Sequence, residues 1–419
     1  MKRMPLKLAY AVVAAALGLA AAPSRAEEVW LHDNTRVYGL VQRVEAGKLA
    51  VFLPTGQETL IPLEDIVAIR FLGRNPLLIQ SGTQEFRFLA GGSVRGQVLS
   101  CVGDLVRVDT PLAGVLDVDL AHVRGFVSLP MIGLSSLKAE EMIDSEPTKL
   151  SEHKDMLIDR RGSEVNGVMR QMDRTVLQLD VDDLLQVKPF KIPYLKGVRL
   201  ADATRAKVAP WNGEQLVMVT SRDNSMLIGR LTDIRFHKWV VQAPWCPGGP
   251  VRAALDEIAQ VQVMGGKVQY LSQLTPGKVE EKTVLAPPQP FQKDRNCQKD
   301  SLSIAGKRYP WGLGVHADSE LTFPINGRYV EFRADIGIDT RMGDRGSVVF
   351  QVLGDGKSLY TSPVIKGGAA RPTEVSVPVS GVQQLTLKVT NADDLDLGDM
   401  ANWGSARVLQ VATAGAAKP

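Results

Sequence analysis

Along most of this chain apolar residues alternate with polar ones in short runs, the period of a half-buried β-strand, and the runs are parted by Gly, Asp, Asn and Ser. One pattern occurs four times. An apolar run (Val29-Trp30-Leu31, Phe86 to Leu89, Met156-Leu157-Ile158, Leu216 to Val219) is followed by a polar turn. A second run then reaches a glycine, at Gly39, Gly96, Gly167 and Gly229. Strand, polar turn, strand predicts a hairpin in each case. Each copy closes on three apolar residues spaced by three: Leu63, Ile66, Ile69; Leu120, Val123, Phe126; Ile192, Leu195, Val198; Leu255, Ile258, Val261. From the glycine to the first of these the count is 24, 24, 25 and 26. Between the markers, Lys48 to Leu53, Leu105 to Val108, Val176 to Leu179 and Trp239 to Gln242 alternate as further strands.

Four units of about five short strands follow from this, at 27–73, 79–130, 153–202 and 212–274. In each the glycine permits a sharp strand bend, and the closing triplet makes a 3₁₀ turn into the last strand. The units resemble the Sm-like small-barrel pattern, which implies tandem SH3/Sm-like barrels. Met131 to Glu152, centred on Ala139-Glu140-Glu141-Met142-Ile143, predicts a helical linker between the first pair and the second. Residues 275–291, with Pro276, Pro287, Pro288 and Pro290, predict an extended linker. Beyond it Ser347 to Val352, Val375 to Val379 and Gln384 to Val389 alternate between Gly-Asp and Gly-Gly turns, as in a β-sandwich or jelly roll.

The N-terminal 26 residues bear on location. Lys2, Arg3 and Lys7 precede an apolar stretch from Leu8 to Ala22, and Pro23-Ser24-Arg25-Ala26 offers small residues for cleavage. Fifteen residues of helix span only about 22 Å, short of the roughly 30 Å of a bilayer core. The segment therefore reads as a signal peptide cut after Ala26, and the chain as exported to periplasm, cell surface or medium, with no stable membrane insertion.

The whole chain carries 49 basic and 46 acidic side chains, and removing the leader leaves 45 against 46. That balance gives no long-range attraction for nucleic acid, and an RNA-binding reading of the Sm-like units lacks its basic and aromatic face. Cys101, Cys246 and Cys297 are far apart and lack metal-ligand spacing, so they read as buried or idle thiols. The five histidines, His32, His122, His153, His237 and His316, are equally scattered. No Gly-x-Ser-x-Gly, His-Glu-x-x-His or phosphate-binding loop occurs, and no stretch is left over for a glycosidase cleft with paired carboxylates. The chain reads as a non-enzyme.

Four motifs near the C-terminus stand in one order: Tyr309-Pro310-Trp311-Gly312-Leu313-Gly314-Val315-His316-Ala317; Ser319-Glu320-Leu321; Phe332 to Asp339 with Gly343-Asp344-Arg345-Gly346-Ser347-Val348; and Ala401-Asn402-Trp403-Gly404-Ser405-Ala406-Arg407. In order and spacing, residues 292–412 resemble the NPCBM family, leaving 413–419 as a tail. The resemblance implies a galactose-binding-like jelly roll, often attached to secreted glycosidases, that holds sugar at loops on one edge. A pyranose offers a face that stacks on aromatic rings and hydroxyls that amides, carboxylates and guanidinium groups bind. Trp403, His316, Asn402, Arg345 and Trp311 are the candidate sugar contacts. Each ring also has a structural reading: Trp403 as sandwich core, His316 as a hydrogen bond to a loop, Trp311 and Tyr309 as packing at a strand entry.

The family's last motif often reads Asp-His-Ala-Asp-Trp-Ala-Asp-Ala-Arg, whereas this chain has Asp399-Met400-Ala401-Asn402-Trp403-Gly404-Ser405-Ala406-Arg407. One histidine and two carboxylates are missing, which weakens a sugar or cation site built on them. Asp339, Asp344, Asp393, Asp394 and Asp396 supply oxygen for a structural calcium or serve as turn formers. Two functions stand side by side. In one, the module recognises a glycan and the repeats are spacers or protein contacts. In the other, the chain is an envelope scaffold with an envelope protein partner and a degenerate sugar module.

Overall fold

The computed structural model describes residues 27–31, 35–72, 74–131, 134–145, 148–181, 186–207, 215–265, 267–282, 289–392 and 396–410. The expected leader (1–26), the His32–Asn34 turn, Pro287 and Pro288 of the linker, Asp393, Asp394 and the tail at 413–419 lie outside the described residues. The chain divides into two compact units, 1–266 and 267–419.

In the first unit the four repeats recur with one topology. Repeat 1 is β1 (Glu27–Leu31), β2 (Arg36–Glu45), β3 (Lys48–Phe52), β4 (Glu58–Pro62) and β5 (Ile66–Phe71). Repeat 2 is β6 (Gln84–Phe88), β7 (Ser93–Val102), β8 (Leu105–Thr110), β9 (Gly114–Asp119) and β10 (Val123–Ser128). Repeat 3 is β11 (Asp155–Asp159), β12 (Glu164–Met172), β13 (Val176–Val181), β14 (Gln186–Lys191) and β15 (Leu195–Arg199). Repeat 4 is β16 (Leu216–Ser221), β17 (Met226–Arg235), β18 (Lys238–Gln242), β19 (Val251–Ala254) and β20 (Ile258–Met264). In each the strands run antiparallel in the order fifth, first, second, third, fourth. Repeats 3 and 4 share it. The closing triplets open on 3₁₀ turns at Leu63–Asp65, Leu120–His122, Ile192–Tyr194 and Leu255–Glu257, as their spacing predicts.

The marker glycines have a steric cause. A Cβ on Gly39, Gly96, Gly167 or Gly229 would lie 2.6, 2.4, 2.2 or 2.2 Å from the carbonyl oxygen of Phe52, Asp109, Asp180 or Gln242 on the third strand. No side chain fits where two backbones meet so closely. Just beyond the glycine the second strand carries a bulge, in all four repeats. In three of them the first residue of the first strand accepts the N–H at the bulge: Glu27 from Val41 (3.0 Å), Gln84 from Val98 (3.3 Å), Asp155 from Met169 (2.6 Å). Burial pushes the Glu27 carboxyl above its ordinary range, against the opposing pull of that hydrogen bond. A raised folded-state pKa means the charge disfavours the fold at neutral pH and that the penalty fades as pH falls through that pKa. Glu27→Gln keeps the acceptor and copies repeat 2. It is expected to raise stability at pH 7 by no more than about 1 kcal/mol, with the gain vanishing in acid, as read by thermal melts across pH.

Closed barrels do not form among the described residues, which corrects the tandem-barrel expectation. A fifth strand that closes a barrel needs a free edge, and here that edge is taken by another repeat. β5 pairs β1 on one side and β20 on the other, while β10 pairs both β6 and β15. Repeat 1 thus joins repeat 4, and repeat 2 joins repeat 3. The joints are self-equivalent: Ile69 faces Val261 and Phe126 faces Val198, each the third member of its own closing triplet. With a β7–β17 bridge the strands form one 20-stranded sheet system around a continuous apolar core.

The expected single helical stretch is two helices, α1 (Leu134–Asp144) and α2 (Lys149–His153). Pro147, lacking an N–H, stands between them in sequence, and Thr148 caps α2 in a capping box with Ser151. α1 lays Ala139, Met142 and Ile143 on Val127, Leu129 and Ile158, over the joint of repeats 2 and 3. The buried Arg199 guanidinium caps its C-terminal end, donating to the carbonyls of Met142 (2.9 Å) and Ser145 (2.7 Å).

The second unit is a sandwich of two antiparallel sheets. One contains β21 (Val268–Tyr270), β23 (Gln292–Lys293), β26 (Gly312–His316), β28 (Tyr329–Ile338), β32 (Thr373–Pro378) and β34 (Met400–Gln410). The other contains β22 (Lys278–Glu281), β27 (Ser319–Pro324), β29 (Ser347–Gly354), β30 (Lys357–Thr361), β31 (Ile365–Lys366) and β33 (Gln384–Asn391). A small ribbon, β24 (Ser303–Ile304) with β25 (Lys307–Arg308), completes it. The expected boundary at 292 moves. β21 pairs β34 and β22 pairs β27, so the stretch read as the end of repeat 4 and a linker already belongs to the sandwich.

Candidate carbohydrate site

The five candidate contacts fall in different places. Trp403 is fully buried between the sheets, edge-on to Phe350 (4.9 Å between ring centres) and Phe332 (6.2 Å). It presents no face to a ligand, and its assignment as a sugar contact is corrected to core. The alternation of β34 decides this, since Ala401 and Trp403 point inward with Ala406 and Val408.

Asn402 points the other way, onto the outer face of the β26–β34–β28 sheet, and is also fully buried. Residues 295–309 roof it. A Cβ on Gly314 would lie 2.3 Å from Asn296 Cα, on Gly337 2.4 Å from Ile304, and on Gly404 2.6 Å from the Tyr309 ring. The glycines keep this face flat so that the roof can seat. Asn402 Nδ2 donates to Ser303 O (2.9 Å) and Asp339 Oδ2 (2.7 Å), and Asn296 Nδ2 reaches the same oxygen at 3.3 Å. Burial raises the Asp339 carboxyl, while these bonds and the Arg341 N–H pull it down. Asn402 and the motif glycines therefore hold the roof. Trp311 is half-buried against Tyr270 (5.2 Å), at the far end of β26 from His316.

His316 and Arg345 do come to one end of the sandwich. Asn391 N donates to Asp318 Oδ1 (2.9 Å) and Ala392 N to Ser347 O (2.9 Å). Ser347 N donates to Asp399 Oδ1 (2.7 Å), and Ala317 N to Asp399 O (3.1 Å). A Cβ on Gly398 would lie 3.1 Å from Arg345 Cβ. These contacts tie the loops after β26, β28 and β33 into one rim. On it Asp344 and Arg345 are exposed and Asp318 and Asn391 half-buried, whereas His316 is 4% exposed with Nδ1 2.6 Å from Ala317 O. His316 supports the rim from beneath and does not line it. Asp318 and Asn391 carry no motif signal, because a strand-end Asp or Asn looks like any turn former.

Asp339 and Asp396 are buried, Asp344 is exposed, and among the described residues no three acidic, histidine or cysteine groups are placed to hold a metal. The three cysteines are buried free thiols, and burial raises their pKa values. No helix of the described residues is long and apolar enough to cross a membrane. The loops of this rim carry a guanidinium donor, carboxylate acceptors and an amide, the kinds of group that bind hydroxyls.

Comparison with known proteins bears on the same unit. A protein of Renibacterium salmoninarum named "Putative endo-alpha-N-acetylgalactosaminidase" is 40% identical over 126 residues, 29% of this chain and 8% of that one. The alpha-1,3-galactosidase B of Akkermansia muciniphila is 33% identical over 113 residues, 26% of this chain and 14% of its own. This chain therefore spans a small fraction of the curated relatives it matches. A solved CBM51 from Clostridium perfringens GH95, in complex with methyl-galactose, is 26% identical and aligns with 34% of this chain and 99% of its own, at a TM-score of 0.31. The NPCBM/NEW2 family matches residues 267–409, a stretch that runs from β21 into β34. Residues 267–409 of this chain are an NPCBM/NEW2 domain.

Proposed function

We propose that this is an exported, non-catalytic glycan-binding protein. Its sandwich takes a galactose- or N-acetylgalactosamine-bearing glycan at the rim of Asp318, Asp344, Arg345 and Asn391, and its four repeats act as spacers or protein contacts. The observation that carries the reading is the NPCBM/NEW2 match over 267–409. The names of the two relatives, both glycosidases of galactose-type sugars, support the ligand class. Non-catalysis rests on the sequence, in which no Gly-x-Ser-x-Gly, His-Glu-x-x-His or phosphate-binding loop occurs. Export rests on the pattern of residues 1–26.

Titration calorimetry of the full chain with galactose, N-acetylgalactosamine and a glycan array tests it. Saturable binding is expected, along with no release from nitrophenyl glycosides of the same sugars. Arg345→Ala is expected to weaken binding at least tenfold with an unchanged melting temperature, because a hydrogen bond from a charged group to a hydroxyl contributes about 1.5–3 kcal/mol. Unchanged affinity would remove the rim from the site. The enclosure of Trp403 and His316 favours a second reading, an envelope scaffold whose sandwich binds no sugar. Capture of a protein partner by the full chain, with no sugar bound, would select it.

A further inference from the structure

The hairpin tips of the four repeats differ in one respect. A two-residue turn between antiparallel strands favours positive φ at both positions, which glycine and asparagine accept and bulky residues resist. Repeat 1 uses Ala46-Gly47 (φ 48° and 73°), and repeat 2 begins its tip with Gly103 (φ 59°). Repeat 3 closes its tip with Asp173, whose carboxylate accepts from the Thr175 and Val176 N–H groups. Repeat 4 places Phe236 and His237 there, at φ 49° and 57°, between Arg235 and Lys238. Phe236 is 92% exposed, and the His237 carbonyl is pinned by the Leu255 N–H at 2.8 Å. A phenylalanine held in a left-handed conformation, buried against nothing, contributes nothing to the core and strains the turn. Such strain persists at places that touch something else.

We propose that the β17–β18 hairpin is a reversible contact finger for an anionic lipid surface, with Phe236 as the inserting side chain. Charge complementarity selects the partner. Arg235 and Lys238 flank the tip and Arg252 is exposed on the strand beside it, with His237 at the tip itself. Of the acids nearby, Asp233 is paired with Arg235, Glu257 of the adjoining 3₁₀ turn with Arg222 (3.7 Å), and Asp256 of the same turn is attracted to Arg74. With those acids engaged by arginines, Lys238 and Arg252 leave positive charge beside a convex apolar tip. A bilayer interface accepts that shape without a preformed pocket, and long cationic side chains keep their heads among the phosphates while the ring enters the acyl boundary. Each lysine or arginine near an anionic surface strengthens binding about fivefold, so the contact is weak and salt-sensitive.

Sedimentation of the chain from Glu27 onward, the form left by the proposed cleavage after Ala26, with vesicles of phosphatidylcholine alone, or mixed with phosphatidylglycerol, tests this. Partition to the anionic vesicles only is expected, falling several-fold at high salt. Phe236→Asn is expected to raise the melting temperature of the first unit by about 2–4 °C, since asparagine suits the turn, while lowering partition about tenfold. Lys238→Glu is expected to lower partition without changing the melt. Equal partition of the Asn variant, or a lowered melting temperature in it, would overturn the proposal. Equal binding to neutral vesicles would do the same. Binding of heparin, equal in wild type and Phe236→Asn and without vesicle binding, would point to a polyanion site instead.

Discussion

Gly167→Ala is expected to cost the first unit about 3 kcal/mol, with a melting temperature roughly 6–12 °C lower, while Gly248→Ala leaves it unchanged. The new Cβ at 167 would sit 2.2 Å from Asp180 O and 3.0 Å from Leu179 Cγ, whereas at 248 the nearest atom is Asp117 Oδ2 at 3.8 Å. Because Asp180 O belongs to a strand paired on both sides, by β12 and β14, the backbone cannot retreat without breaking a ladder. The same result is expected at Gly39, Gly96 and Gly229, where the same approach recurs. Thermal denaturation followed by circular dichroism checks it. A neutral Gly167→Ala would mean that the strand bend is plastic and that the recurrence of these glycines has another cause.

Trp403→Ala is expected to destabilise the sandwich by about 3–5 kcal/mol, enough to leave much of it unfolded, and any loss of glycan binding in that variant would follow from the loss of fold. The ring fills the centre of the core against Phe332 and Phe350, and its Nε1 has no hydrogen-bond partner. Trp403→Phe is therefore expected to be far milder, since it removes an unsatisfied buried donor along with part of the ring's volume. Denaturant melts alongside sugar titration separate the two effects. A folded Trp403→Ala protein with weakened binding would return the tryptophan to the site and displace the Arg345 rim.

The NPCBM motifs were the strongest signal in the sequence, and their residues are mostly architectural. Gly314, Gly404 and Asn402 seat the roof, and Trp403 fills the core. Family resemblance is carried by residues that a fold cannot replace, and those are buried. Of the five proposed contacts only Arg345 is exposed at the rim, and Asp318 and Asn391 on the same rim gave no signal because a short polar residue at a strand end has no distinguishing pattern. Phe236 was equally silent: a single phenylalanine in an alternating stretch looks like a core residue until its φ and exposure are known.

Strand-rich class, four repeats, bent strands and 3₁₀ turns were all readable from the order of residues. Each arises from a constraint a few positions long: an alternation, a glycine, a triplet spaced by three. The partners of those strands were not readable. Every strand edge offers the same row of N–H and C=O groups, so alternation tells which face is buried but not which neighbour lies alongside. Only the folded chain could join repeat 1 to repeat 4, leave the barrels open, and add Val268–Tyr270 to a strand ending at Gln410. Those choices are made by packing between residues far apart in sequence, and the same packing turned Trp403 inward and left Arg345 in the solvent.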